Sequence, residues 1–288
     1  MLGHANVKTD VRIRLFDAAD IPFGLRLCAQ NHWNQLASDW QRQLALQPDG
    51  CFVAESLGEP VGTACACIFE RDAWINLVLV DRAQRGRGIG SMLLRHVIDW
   101  LDARGVRSIW LDATPMGQPV YAKLGFVGVF GMARWQGVVP DGGGSAVGVE
   151  PLLANDIPDV CAIDERATGF RRASLLHRLF AADPGRMRKV VTNGAIAGYC
   201  MSRPGANASQ IGPMQGSPQA CAMLLADAVQ RFAGERVYLD VPDDNSLAIS
   251  SLQAKGFAVQ RRFLRMVRGE VRTLDLTLHW SSFGPENG

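Results

Sequence analysis

The sequence predicts an α/β fold, present as two tandem copies. Three observations carry that expectation. The 288 residues exceed a typical domain of roughly 100–200 residues. Strand-period and helix-period segments follow each other in the same order before and after residues 140–145. That stretch, Pro140-Asp141-Gly142-Gly143-Gly144-Ser145, has the composition of a flexible connection. The implied limits are one domain over 1–138, a Gly-rich linker over 139–146 and a second domain over 147–288.

The first copy opens with alternating residues 11–16, a strand, followed by helix-period residues 17–30 and a second short helix over 39–46. Pro48-Asp49-Gly50 is a turn. Segments 51–57 and 61–69 are strands, with Gly58-Glu59 as the hairpin signal. Segment 74–80 is apolar throughout, as a strand buried on both faces is. A glycine-rich turn over 85–90 leads into an amphipathic helix over 91–104, with apolar residues at 93, 94, 97, 98 and 101. Gly105 follows as a C-cap candidate. Segment 108–112 is a strand, 117–124 a short helix ended by Gly125, and strand residues resume at Phe126.

The second copy repeats this order. Strand 147–151 precedes helices 156–165 and 174–182. Strands 189–192 and 196–202 flank Asn193-Gly194, a hairpin dipeptide. Strand 210–213, helix 219–232, strand 237–241, helix 245–255 and strand 263–267 complete the run. Met92-Leu93-Leu94 matches Met223-Leu224-Leu225 and Gly125-Phe126 matches Gly256-Phe257, both 131 positions apart, which reads as an internal duplication.

Composition narrows the function. Thirty basic and 28 acidic side chains leave a net charge of +2, balanced between the halves, so no duplex-binding surface is expected and no nucleic-acid partner. Arg171, Arg172, Arg186 and Arg188 read as a solvated basic face. No apolar run reaches about 18 residues, so no membrane span or membrane partner is expected. Seven cysteines, an odd number without Cys-x-x-Cys spacing, argue against a disulfide framework or a metal site and for buried thiols in a reducing cytoplasm.

The chemistry lies in Leu77-Val78-Leu79-Val80-Asp81-Arg82-Ala83-Gln84-Arg85-Gly86-Arg87-Gly88-Ile89-Gly90-Ser91. A buried strand runs into a turn that a helix continues. Glycines 86, 88 and 90 leave backbone N–H groups uncovered where the helix dipole favours an anion, and Arg85 and Arg87 add positive charge. The segment is not a Walker-type phosphate loop, because no Lys-Ser or Lys-Thr follows. Nor is it a dinucleotide fingerprint, because Ser91 stands where the third glycine belongs.

Arg85-x-x-Gly88-x-Gly90, after an apolar strand and before an amphipathic helix, resembles the acyl-CoA motif of the GCN5-related N-acetyltransferase (GNAT) superfamily. Val120-Tyr121-Ala122-Lys123-Leu124-Gly125-Phe126 is similar to the family's second motif. The resemblance implies two GNAT-like domains, each a mixed, mostly antiparallel twisted sheet flanked by helices, with an intact first copy and a degenerate second. It implies acetyl-CoA as cosubstrate, with no metal. The pantetheine arm would pair with the edge of Val78, Leu79 and Val80, and the pyrophosphate would sit on Arg85, Gly86, Arg87, Gly88, Ile89, Gly90 and Ser91. Thr114 occupies a position where many members carry an asparagine touching the cofactor. Tyr121 would be the general acid toward the leaving thiolate.

The expected activity is acetyl transfer to a primary amine by direct attack, the acceptor being a small molecule or a peptide. Trp33, Asn34 and Trp74 are the candidate acceptor-lining residues. Trp74 stands where histone-type members carry a base glutamate, which leaves Glu55, Glu70, Asp72 and His32 as open candidates for the base. A non-catalytic acyl-CoA sensor or scaffold, and a mycothiol-synthase-like tandem enzyme, are the alternatives. In the second copy, alignment on Met-Leu-Leu puts Gly216, Gln219 and Cys221 opposite Arg85, Gly88 and Gly90, adds Pro218, and sets Leu252 opposite Tyr121. One acetyl-CoA per chain is therefore expected.

Overall fold

A computed structural model describes residues 11–139 and 146–288; the expected linker residues 140–145 lie outside the described residues. The chain divides into two compact units. The first holds the described residues up to Cys67 together with Leu77–Arg104; the second holds Ile68–Asn76 and everything from Gly105 onward.

In the first unit β1 (Val11–Leu15) pairs antiparallel with β2 (Cys51–Ser56), and β2 with β3 (Glu59–Phe69). The hairpin loop is Leu57-Gly58, one residue earlier than the Gly58-Glu59 expected. Both take positive φ, 56° and 82°, as a tight right-twisted hairpin requires. The expected helix over 17–30 begins with a 3-10 turn, Ala18–Asp20, and becomes α1 at Ile21–Gln30, with Pro22 in its first turn where no N–H is needed. α2 (Ala37–Leu46) packs Trp40 against Phe16, ring centroids 4.9 Å apart. Gly24 of α1 is there because a Cβ would lie 2.6 Å from the Trp40 ring. β4 (Asp72–Val80) supplies Leu77 and Leu79 to this core, and α3 (Ile89–Asp102) buries Leu93, Leu94, Val97, Ile98 and Leu101, the expected stripe. Each such side chain contributes roughly 1.5–3 kcal/mol when taken from water.

The second unit gathers the rest. It contains the start of β4, then β5 (Ser108–Ala113), α4 (Gln118–Ala122), β6 (Val127–Val138) and β7 (Val149–Pro151). α5 (Ile157–Thr168), α6 (Ala173–Ala182), β8 (Arg188–Thr192), β9 (Ala195–Arg203) and β10 (Ser209–Gly216) follow. α7 (Pro218–Arg231), β11 (Arg236–Pro242), α8 (Ser246–Ala254), β12 (Ala258–Gly269) and β13 (His279–Ser281) end it. Its strand order is β4-β5-β12-β6-β11-β10-β9-β8-β7, with β13 on β10. β12, from the second repeat, is inserted between β5 and β6 of the first and is antiparallel to both. β6 is in turn antiparallel to β11. The repeats therefore exchange strands, and this is why the compact units cut across them.

Two buried ion pairs cross the exchange. Arg134 of β6 donates two hydrogen bonds of 2.7 Å to Asp240 of β11, and Arg265 of β12 donates two of 2.9 Å to Asp112 of β5. Removing one partner of such a pair would leave the other charge buried and uncompensated, at a cost of about 3–5 kcal/mol. The same seam is apolar elsewhere: Ala133 and Trp135 of β6 share one core cluster with Leu224, Leu239, Leu252 and Phe257.

Candidate active site

β4 is where the site begins. Its parallel ladder with β5 covers only Asp72, Ala73 and Trp74, so Val78–Val80 stands outside that ladder. Within the strand Leu77 takes φ 51°, and its carbonyl accepts a 2.8 Å hydrogen bond from Thr63 Oγ1. Val78 and Val80 are half-buried and Leu79 is buried in the first unit.

Residues 81–88 link β4 to α3. The Asp81 N–H donates to the Val61 carbonyl (2.9 Å), and the Asp81 carboxylate accepts the Ala83 N–H (3.0 Å) and meets Arg26 (3.2 Å). A 3-10 turn over Arg82–Gln84 follows. Arg85 then folds back, donating to the Val80 carbonyl (3.3 Å) and to Asn31 Oδ1 (2.6 Å), while Arg87 donates to Gln84. Asp81 and Asn31, which hold the turn in place, were missed in the sequence because their partners lie 20 to 55 positions away.

Gly86 and Gly88 each take φ 78°. A Cβ on either would meet nothing within 4 Å, so the requirement for glycine is conformational rather than steric. Gly88 is the N-cap of α3 and supplies no side-chain acceptor, and the first turn holds no acidic residue. Among the described residues, the N–H groups from Gly86 to Ser91 have no hydrogen-bond acceptor. Arg85 to Gly88 are exposed; Ile89 is buried and anchors the turn to the core. α3 starts at Ile89, earlier than the expected Ser91, so part of this donor cluster is the first turn of the helix itself. Such a cluster, with the positive end of a 14-residue helix behind it, has the donors and the field that suit a phosphate or pyrophosphate.

Trp33 and Asn34 belong to the same unit, in the connection between α1 and α2. Trp33 packs on the core that includes Trp40, and Asn34 is buried. Among the base candidates, Glu55 is held by Arg14 at 2.6 Å, and His32 takes φ 54° in the turn after α1.

Thr114, Tyr121 and Trp74 belong to the second unit. The Thr114 carbonyl accepts the N–H groups of Gly117 (2.9 Å) and Gln118 (3.1 Å) and so sets the start of α4. Tyr121 lies on α4, edge-on to Phe126 with centroids 5.9 Å apart. A Cβ at Gly117 would press on its ring at 2.8 Å. Its hydroxyl has no hydrogen-bond partner among the described residues, and burial pushes its pKa up to about 12, so it carries its proton at neutral pH. Trp74 is buried, its indole N–H donating to the Pro285 carbonyl (2.9 Å). Glu70 pairs with exposed Arg171 at 3.5 Å, and Asp72 with Arg272 and Ser108. Arg172, expected on a solvated face, is instead fully buried with its guanidinium on Asp164 (2.7 and 2.9 Å).

The second repeat treats the corresponding place differently. β10 runs to Gly216 and α7 starts at Pro218, so Ser217 alone replaces the segment 81–88. Ser217 caps α7 by accepting the Ala220 N–H (3.3 Å). β10 and β11 pair in parallel only at Ser209 and Gln210; beyond that β13 lies against β10 at Met214 and Gln215 and bridges to Asp240 through Ser282. The shortened turn corrects the position-by-position alignment: the anion cradle is deleted rather than substituted, and the strand edge beside it is covered.

Two family models match the chain, the acetyltransferase (GNAT) family over residues 19–126 and the acetyltransferase (GNAT) domain over 160–277. The chain is a tandem GNAT protein. It is 28% identical to the holothin acyltransferase of a Pseudoalteromonas species over 242 residues, spanning 83% of this chain and 81% of that one. It is 25% identical to the uncharacterized N-acetyltransferase YitH of Bacillus subtilis, over 81% of this chain and 83% of that one. A solved structure from Pyrococcus horikoshii superposes with a TM-score of 0.82 at 24% identity, covering 100% of this chain and 99% of that chain. A tandem GNAT protein from the clavulanic acid biosynthesis pathway superposes with 0.67 at 16% identity, covering 92% and 100%. Membership makes acyl transfer the general chemistry of the chain. Among the described residues no group of His, Cys, Asp or Glu is placed to hold a metal ion, and no helix is long and apolar enough to cross a membrane.

Proposed function

We propose that this tandem GNAT protein is a cytoplasmic N-acetyltransferase that moves an acetyl group from acetyl-CoA to a primary amine on a small molecule or peptide. The first repeat (1–138) carries the chemistry and the second (147–288) is catalytically silent. The observation that carries the reading is the row of N–H groups from Gly86 to Ser91 without an acceptor, backed by α3 and flanked by Arg85 and Arg87. That donor set suits the pyrophosphate of a coenzyme A thioester. Acetyl-CoA supplies the activated acyl carbon. Val78, Leu79 and Val80 offer main-chain groups to the pantetheine amides, and a backbone N–H of this strand polarises the carbonyl. The amine nitrogen bonds to that carbon, the carbon–sulfur bond breaks, and Tyr121, whose hydroxyl keeps its proton at neutral pH, protonates the departing sulfur; the proton that the nitrogen sheds passes through solvent and restores the Tyr121 hydroxyl. Thr114 belongs to the cofactor side, and Trp33, Asn34 and Trp74 to the acceptor side. The holothin acyltransferase, similar over both repeats, supports acyl transfer to an acceptor beyond coenzyme A.

The test is thiol release from acetyl-CoA with a panel of primary amines. Turnover with at least one amine, abolished in proportion to loss of acetyl-CoA binding in Gly88→Asp, supports the reading. Tight acetyl-CoA binding with no turnover across the panel replaces it with the sensor alternative.

A further inference from the structure

Within the second unit, four successive residues are each met at a main-chain oxygen by a donor from elsewhere in the fold. Trp74 Nε1 donates to Pro285 (2.9 Å), Asn76 Nδ2 to Glu286, and Arg172 to Asn287 (2.5 Å) and Gly288. The Glu286 side chain is bound as well, by Arg203 at 2.7 Å. Phe283 is buried and so are Glu286 to Gly288. No strand ladder is involved: the segment turns on itself, with the Gly288 N–H on the Gly284 carbonyl (3.1 Å). Ordinary core packing buries apolar side chains. Here the walls are polar donors, and what they hold is peptide backbone.

The walls are also built independently of the segment. Arg172 is fixed by Asp164, which accepts from Tyr199 as well. Arg265, fixed by Asp112, stacks over the Trp74 ring at 4.7 Å, and Phe170 meets the same ring edge-on at 5.7 Å. Beside the two arginines lies His279, fully buried, with neither ring nitrogen hydrogen-bonded among the described residues. Burial first, then Arg265 and Arg172, hold its pKa well below the usual range, so the imidazole is neutral and one nitrogen is a spare acceptor. A rigid wall of donors with a buried histidine left unused is what a ligand site presents.

We propose that this chamber is a binding site for short acidic peptide segments, and that residues 283–288 are its built-in occupant, which an external peptide replaces. Main-chain carbonyls are read by Trp74, Asn76 and Arg172, and one carboxylate by Arg203. The proposal goes beyond acyl transfer and does not rest on it, since peptide binding needs no acyl donor.

The probe is a synthetic peptide of residues 283–288, titrated by calorimetry against two chains in which the occupant is displaced: Glu286→Arg, which sets like charges against Arg203, and a chain lacking 283–288. At least one should bind the peptide with a Kd at least tenfold tighter than the unaltered chain, whose site is filled. Adding Arg172→Ala to that variant should weaken binding by tenfold or more. Binding equally by the unaltered chain overturns the proposal, as does the absence of binding by both folded variants. Loss of circular-dichroism signal in both also overturns it, because a segment the fold cannot spare is core rather than occupant. Trp74 is shared with the proposed acceptor side, so the two readings are told apart by the probe: the peptide titration is run without acetyl-CoA or amine, and turnover is measured without the peptide.

Discussion

The turns that precede α3 and α7 occupy the same place in the two repeats and are built for opposite purposes. Before α3, residues 81–88 are pinned at their start by Asp81 and by Arg85 on Asn31, and then release a run of N–H groups from glycines in the left-handed region. Before α7, a single serine closes the helix with its own side chain, Pro218 contributes no N–H, and β13 takes the neighbouring strand edge. An uncapped helix end costs stability, and the first repeat carries that cost. The second avoids it, and its cap takes up a helix N–H that the first repeat leaves open. One element of one fold thus carries open donors in one copy and a closed end in the other.

The largest effect expected is on the whole chain. A protein ending at residue 138 leaves β5 without β12, and β6 without β11 and β12. It should be insoluble or unfolded by circular dichroism; a soluble, active fragment would show that the exchange is dispensable. Next comes Tyr121→Phe, which keeps the ring and removes the proton. Turnover should fall by about 10²–10⁴-fold while acetyl-CoA affinity by calorimetry stays the same. The pH profile adds a sign. A hydroxyl raised to about 12 stays protonated through the ordinary range, so activity should not decline between pH 8 and 10 through this group and should fall only as pH approaches 12. A steep loss near pH 9 that disappears in Tyr121→Phe would refute the assignment of its environment.

Gly88→Asp forces a side chain into φ 78° and places a carboxylate at the helix start. Acetyl-CoA affinity should drop at least tenfold, or ~1.4 kcal/mol. The unaltered protein should bind close to one acetyl-CoA per chain, and two equivalent sites would erase the distinction between the turns. The smallest effect belongs to the other turn. Ser217→Ala removes the α7 cap and should lower stability by about 0.5–2 kcal/mol in urea, with acetyl-CoA affinity unchanged. A loss of affinity there would mean that the second repeat contributes to the cofactor site.

Much of this was legible because it is local. The five apolar positions of α3 are all buried, since a 3.6-residue period admits one inward face, and the glycines at 86 and 88 do take the conformation that only glycine adopts cheaply. What escaped is non-local. Nothing in the pattern of residues 258–269 says that their ladder partners are β5 and β6 rather than β11 alone. β13 and residues 283–288 are short and polar, without periodicity to mark them. Arg172 stands beside exposed Arg171 in the sequence, and charge along a chain does not report which of two adjacent guanidinium groups turns inward to an aspartate eight positions back. The alignment of the repeats failed at the turn for a related reason. Matching the helices fixes their register but says nothing about the length of the connection before them.

The strand exchange has a consequence for how such a protein changes over generations. With β12 between β5 and β6, and β11 along β6, a loss from the second repeat can be as large as a whole turn, as Ser217 in place of residues 81–88 illustrates, while the strands that complete the first repeat's sheet have to stay. Duplication that begins as redundancy becomes dependence, and each copy is retained by the geometry of its partner.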